Sequence, residues 1–102
     1  MIERHWKGTT DDENSDKYIR HLMDETFPQL ATIPGFKKAS ILKRITNKGI
    51  EFLIITTWES VDAVKKFAGE EFATAVVPKR VQDIMIEYDK KVRHYEVIVE
   101  TD

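Results

Sequence analysis

The stretch IEFLIITTW, residues 50–58, decides how this chain folds. Its β-branched and aromatic residues are typical of a strand, and the residues from Phe52 to Ile55 are apolar without interruption. Because successive side chains of a strand point to opposite faces of the sheet, both faces of this strand must be covered. One layer of helices covers only one face, so a second covering layer is required.

The segments on either side of this stretch predict further strands. Lys37 to Thr46 form a second strand, which the glycine-bearing turn Asn47-Lys48-Gly49 joins to the third strand as a hairpin. A first strand is predicted from Met1 to Lys7, ending at the turn Gly8-Thr9-Thr10, and a last strand from Lys91 to Glu100. Strands therefore open and close the chain.

A long helix is predicted between the first and second strands. Thr10 with Glu13 fits a capping box, and apolar residues recur at helical spacing from Tyr18 to Leu30. Pro28 lacks an amide donor and disfavours helix at the residue before it, so we expect a kink or break there. The segment Ile33-Pro34-Gly35 is the expected end of the helix.

Two shorter helical stretches are predicted after the third strand. Ser60 is a good N-cap for the first of them, and Gly69 ends it. The second stretch is interrupted near Pro78, and its apolar stripe consists of Val81, Ile84, Met85 and Tyr88.

The predicted order of elements is β-α-β-β-α-β. With right-handed crossovers this is an α+β fold, the ferredoxin-like split β-α-β arrangement, with antiparallel strands in the order 4-1-3-2 and helices on one face. Residues 1–102 are expected to form a single domain of this type. Because no element remains for the open face, a second copy's sheet is the simplest cover, and we predict a homodimer through the sheet faces.

Composition and charge exclude several functional classes. The 16 Lys and Arg against 18 Asp and Glu are interspersed and give a net charge of −2, so nucleic acid binding is not expected. The absence of cysteine excludes disulfides and thiolate metal sites, and no histidine spacing resembles a zinc site. No apolar run is long enough for a membrane span or a secretory signal, so the expected location is the cytoplasm.

Several short motifs together carry a family resemblance that covers nearly the whole chain. They are RHWKG (4–8), FP (27–28), IPGF (33–36), TWES (57–60), DAV (62–64), FAGE (67–70), AVVP (75–78) and HYEV (94–97). In these motifs the chain resembles the antibiotic biosynthesis monooxygenase family of small dimeric α/β-barrel proteins. The resemblance implies a dimeric α/β barrel that oxygenates aromatic polyketides without metal or flavin, or that degrades haem. Because one fold hosts many functions, the resemblance supports the fold more directly than the activity.

The sequence departs from the haem-degrading members of this family. Those relatives place the axial histidine of the iron on the second helical region, one or two turns beyond the tryptophan that corresponds to Trp58. Here that region is Lys66-Phe67-Ala68-Gly69 and contains no histidine. No cofactor is therefore expected, and haem degradation is the less favoured activity.

Histidines of the first and last strands are the leading candidates for proton transfer. The predicted topology makes His5 and His94 neighbours, and alternation places His94 and Tyr95 on opposite faces of their strand. A histidine accepts a proton from an acidic phenol or enol near neutral pH, which is the first step of a cofactor-free oxygenation. The alternative is an interface histidine with a purely structural role. His21 lies in the polar part of the first helix and is expected to be solvated.

Aromatic and basic residues complete the candidate site. Trp58 ends the third strand, where it either packs in the core or forms a flat wall with an indole donor for a planar substrate. Trp6 is a second such candidate, and Arg4 and Arg44 either bind an anionic group of the substrate or form salt bridges.

Two hypotheses about function follow. The first is a cofactor-independent monooxygenase acting on a small planar aromatic or polyketide-like substrate, with His94, Tyr95 and Trp58 as catalytic residues and Trp6, His5 and Arg44 binding the substrate. The second is a non-catalytic dimeric module that binds a small molecule or serves a structural role. A cavity too small for one aromatic ring would favour the second.

Overall fold

Helices cover one face of an antiparallel sheet in the computed structural model, which describes residues 1–102. The strands are β1 (Ile2–Thr10), β2 (Phe36–Thr46), β3 (Gly49–Trp58), β4 (Met85–Tyr88) and β5 (Arg93–Glu96). The helices are α1 (Asp12–His21), a π-helical turn (Leu22–Thr26), α2 (Phe27–Leu30), α3 (Val61–Ala68) and α4 (Lys79–Ile84).

The strand order is β2-β3-β1-β4, and β5 also pairs with β1. Because β4 pairs with Gly8–Thr10 and β5 pairs with Ile2–His5, these two strands occupy the same edge of β1 in succession. Together they hold the fourth position of the predicted 4-1-3-2 order. The α+β split β-α-β fold with helices on one face is therefore confirmed.

The end of the chain differs from the prediction. Residues Met85–Tyr88 form a strand instead of continuing the helix, because α4 stops at Ile84 and the next residues pair with the free edge of β1. The last strand covers only Arg93–Glu96 of the predicted Lys91 to Glu100. Pairing with a distant strand thus overrides the helical spacing of Met85 and Tyr88.

The first strand is longer than predicted, so the first helix begins later in the sequence. β1 continues through the expected turn as far as Thr10, because β3 pairs with it up to the partners Thr10 and Ile50. The helix is capped by Asp11, whose Oδ1 accepts the Asn14 N–H at 2.9 Å, so the predicted capping box at Thr10 is wrong.

The expected break at Pro28 takes the form of a widened turn. The Phe27 N–H donates to the Leu22 carbonyl across the π-helical turn, and α2 then ends at Leu30, before the predicted stop at Ile33. The third helix follows the prediction: Ser60 Oγ accepts the Ala63 N–H, and Gly69 at φ +82° ends the helix.

Strand β3 carries apolar side chains on both faces, as its sequence predicts. Phe52 and Ile54 face the helices and are 0% and 7% exposed, whereas Leu53 and Ile55 are half-buried on the other face. No helix or strand of this chain lies over that open face, where Leu42 of β2 is 45% exposed. No helix in the structure is both long and apolar enough to cross a membrane.

Candidate functional site

A cavity of about 140 Å³ lies between the helix-facing side of the sheet and the helices above it. Its sheet wall is formed by side chains of β1 and β3. Its other walls come from α1, the π-helical turn, α2, α3, α4, the segment that precedes α4, and Val92 before β5. Apolar residues dominate the lining, and no Asp or Glu contributes to it. The polar groups that reach this cavity therefore define what chemistry is available.

Arg4 is the cation of this cavity. Alternation along β1 turns it toward the helices, where it is only 5% exposed. Its Nη1 donates to the Phe72 carbonyl at 2.5 Å and its Nη2 to the Thr74 carbonyl at 3.2 Å, and the Phe67 ring lies 5.5 Å from the guanidinium carbon. Burial lowers the pKa of Arg4 to about 10, so the side chain keeps its charge at neutral pH.

His94 lies directly across the strand pair from Arg4. Its Nε2 is 3.0 Å from Arg4 Nη1, and because a guanidinium only donates, His94 accepts here and carries its proton on Nδ1. Burial, followed by the charge of Arg4, lowers the pKa of His94 below its usual value. The imidazole therefore holds the guanidinium in place as a neutral acceptor.

His21 also lines the cavity, contrary to the expectation of a solvated histidine. Its side chain is 11% exposed, its Nδ1 lies 3.3 Å from Glu25 Oε2, and its Nε2 is buried without a hydrogen-bond partner. Arg80 of α4 binds the other carboxylate oxygen of Glu25. Burial, followed by the charge of Arg80, lowers the pKa of His21. The spacing of three residues between Tyr18 and His21 is the signal in the sequence that could have placed His21 on the buried face.

Of the two tryptophans, only Trp6 lines the cavity. Its Nε1 donates to the Asp89 carbonyl at 2.9 Å, which orients the ring against Tyr18 with a centroid separation of 6.1 Å. Trp58 is fully buried, and its Nε1 donates to Thr56 Oγ1 at 2.9 Å. Its ring stacks at 5.8 Å on Phe67, which does line the cavity, so Trp58 supports the wall from behind.

Three predicted site residues lie on the open face of the sheet, away from the cavity. His5 and Tyr95 contact each other there with ring centroids 4.9 Å apart, and His5 Nε2 is 2.9 Å from Glu3 Oε1. Arg44 on β2 is paired with Glu51, its Nε 2.5 Å from the carboxylate. The structure thus brings Trp6 and His94 to the helix side and separates them from these three residues.

No group of three or more His, Asp or Glu side chains is arranged to hold a metal ion. The ionisable and basic side chains at the cavity are those of Arg4, His21 and Tyr18, with His94 behind Arg4; Thr26, Gln29 and Thr56 complete its polar lining. Their chemistry is proton transfer and the binding of an anion, both of which side chains perform without a metal.

Comparison with known proteins identifies the fold. No family model matches the chain, and no curated protein matches its sequence. Solved structures do match, among them the haem degrader MhuD of Mycobacterium tuberculosis with two haems bound, at 12% identity and a TM-score of 0.71, with 100% of both chains covered. A Bacillus cereus protein provisionally classed as an antibiotic biosynthesis monooxygenase matches at 20% identity and a TM-score of 0.67, covering 99% of this chain and 96% of that one.

A third match is the cofactor-independent oxygenase SnoaB of Streptomyces nogalater, at 14% identity and a TM-score of 0.67, with 97% of this chain and 94% of that one covered. At these identities the likeness concerns the backbone rather than the site. This chain has the fold of the structures named antibiotic biosynthesis monooxygenases.

Proposed function

We propose that this chain is a cofactor-independent monooxygenase that acts on a small, planar, hydroxylated aromatic substrate of the polyketide type. The observation that carries the proposal is the apolar cavity lined by His21, whose buried Nε2 has no partner in the protein. An unpartnered buried nitrogen is costly for a protein to keep, and a ligand that supplies a hydroxyl group satisfies it.

The size of the cavity suits one aromatic ring. A cavity of roughly 150 Å³ lined by apolar side chains accepts benzene in a protein core, and the cavity here measures about 140 Å³. Flat side chains of Trp6, Phe27 and Phe67 contribute to its walls. A larger polycyclic substrate would place its reacting ring here and the rest of its body toward the open side.

His21 is the proton acceptor in this proposal. Its Nε2 takes the proton of a phenol or enol, Glu25 stabilises the imidazolium through Nδ1, and the substrate becomes an electron-rich carbanion. That carbanion reduces molecular oxygen directly. A ring methylene becomes a carbonyl, one oxygen atom enters the product, and the other leaves as water with the two methylene hydrogens.

The roles predicted for the other candidates change with their positions. His94 offers its Nε2 to Arg4, so we assign it to positioning that side chain rather than to accepting the substrate proton. Trp58 supports Phe67, and Trp6 forms part of the binding wall. Catalytic and binding roles for Tyr95, His5 and Arg44 would require a second subunit to form a site over the open face.

The homodimer is part of the same proposal. Leu42, Leu53 and Ile55 leave an apolar centre on the open face, and a second copy's sheet would remove it from water. The cytoplasmic location also stays a prediction.

Haem does not fit the residues present. The α3 segment from Lys66 to Gly69 has no histidine, and the cavity of about 140 Å³ is well below the roughly 300 Å³ at which pockets for drug-sized ligands begin. Of the histidines near the cavity, His94 is engaged by Arg4, and an iron would compete with the proposed substrate for His21 Nε2, the only unpartnered ring nitrogen there.

Oxygen uptake tests the proposal. Purified protein is incubated with a panel of hydroxylated anthrones and quinols in the presence of a chelator, and uptake is compared with a denatured control. We expect metal- and flavin-independent turnover that His21→Gln lowers by roughly 10²- to 10⁴-fold, the usual contribution of a general base. Lys17→Gln, a change at an exposed position of the same helix, is the control and should retain activity. No uptake by the wild type across the panel would contradict the proposal.

A further inference from the structure

We propose that the cavity selects aromatic substrates that carry a carboxylate, and that Arg4 is the residue that binds this group. The inference rests on the proposed function only for the location of the site. It deepens that proposal by naming the charge of the ligand.

Arg4 is a buried cation without an anionic partner. No carboxylate lies within ion-pair distance of its guanidinium, although seven pairs of a Lys or Arg with a carboxylate exist elsewhere in the chain. Its contacts are two backbone carbonyls, the neutral acceptor His94 and the face of Phe67. Buried charges in proteins are normally paired with an opposite charge, so this arrangement leaves a counterion to be supplied.

The guanidinium also has hydrogen-bond donors to spare. It carries five N–H groups, and the protein accepts from Nη1 twice and from Nη2 once. The Nε–H and one Nη2–H therefore have no acceptor in the protein. Since a carboxylate offers two oxygens to two donors, it is the anion that matches this side chain best.

The rest of the cavity favours an anion and opposes a cation. The titratable groups on its walls are Arg4, His21 and Tyr18, and none is acidic at neutral pH; burial raises the pKa of Tyr18 well above its usual value. His94, behind Arg4, also has no negative charge. A bound carboxylate thus meets the only full charge of the cavity, at a site where water does not screen it strongly.

The apolar lining determines what accompanies the carboxylate. Trp6, Leu22, Ile54 and Val81 line the same cavity as Arg4 and form an apolar surface suited to a ring rather than to an aliphatic polar chain. The ligand class is therefore an aryl carboxylate, with a ring hydroxyl directed at His21.

Binding measurements on isosteric pairs test this inference. The probes are 2-hydroxybenzoate against 2-hydroxybenzamide, and 1-hydroxy-2-naphthoate against its amide, titrated calorimetrically at physiological ionic strength. A charge-assisted hydrogen bond contributes roughly 1.5–3 kcal/mol, so wild-type protein should bind each acid about 10- to 150-fold more tightly than its amide. Arg4→Gln should abolish this preference. Arg20→Gln, the same chemical change at an exposed arginine of α1, should leave it unchanged.

Several results would overturn the inference. One is equal affinity of the wild type for acid and amide. Another is that none of the four probes binds at millimolar concentration. The third is a preference for the acid that persists in Arg4→Gln. If Arg4→Gln does not fold, the inference is tested by the wild type and Arg4→Lys instead. The wild type must prefer each acid to its amide, and this preference should weaken in Arg4→Lys, where a point charge replaces the guanidinium. Acid binding without oxygen uptake contradicts the proposed function alone, whereas oxygen uptake with neutral substrates and no acid preference contradicts this inference alone.

Discussion

Thr56→Val is expected to destabilise the fold by removing one buried hydrogen bond. Thr56 Oγ1 accepts the indole N–H of Trp58 at 2.9 Å, and these residues are 7% and 0% exposed. Valine has nearly the shape of threonine, so the main change is that the indole N–H of the fully buried Trp58 loses its partner. Such a group costs about 1–3 kcal/mol. For a chain of 102 residues each kcal/mol lowers Tm by roughly 4–8 °C, so a fall of about 5–20 °C is expected.

Urea denaturation of the four proteins of a double-mutant cycle measures the contribution of this hydrogen bond to the free energy of unfolding. Phenylalanine has no N–H group, so Thr56→Val should cost at least about 1 kcal/mol less in the Trp58→Phe background than in the wild type. Thr57→Val, the same chemical change at the neighbouring position facing the other side of the sheet, is the control. A Thr56→Val variant within about 0.5 kcal/mol of the wild type, or an equal cost in both backgrounds, would refute the reasoning.

The remaining predictions concern the sheet, the buried histidines and haem. Ile54→Asp should unfold the chain because it places a charge in the helix-facing core, whereas Ile55→Asp should chiefly dissociate the proposed dimer. Circular dichroism measures the loss of folded structure, and sedimentation measures the loss of the dimer. A stable wild-type monomer at micromolar concentration would contradict the proposed dimer. Burial depresses the pKa of His21 and of His94 in the folded state, so the unfolded chain takes up protons first as the pH falls below about 6.5. The free energy of unfolding should therefore drop between pH 7.5 and 5.5, and the drop should be smaller in His21→Gln and His94→Gln; equal pH profiles in all three proteins would exclude this linkage. Titration with hemin should give no saturable Soret shift at one equivalent per protomer, and such a shift would make His21 the first ligand candidate to replace.

Local signals in the sequence account for most of the fold. The hairpin turn ending at Gly49, the N-cap Ser60 and the alternation along β3 each depend on residues close together in the chain, and each prediction holds. Residues Met85–Tyr88 show the limit of such signals. Their helical spacing was overridden by the free edge of β1, more than 70 residues earlier in the sequence.

The candidate site was less accessible to sequence reasoning because its residues meet only through the tertiary fold. Alternation along a strand predicts that His94 and Tyr95 face opposite ways, but not which of them faces the helices. Arg4 and His94 are 90 positions apart and become partners because β5 pairs with the edge of β1.

The sequence alone therefore determined the order of the elements as far as α4 and the apolar character of both faces of the third strand. The tertiary structure decided which polar groups are buried together. Packing of α4 beside the first helix withdraws His21 from water, and the core encloses Trp58. Desolvation and hydrogen-bond satisfaction depend on what surrounds a group in space, and no local pattern of residues contains that information.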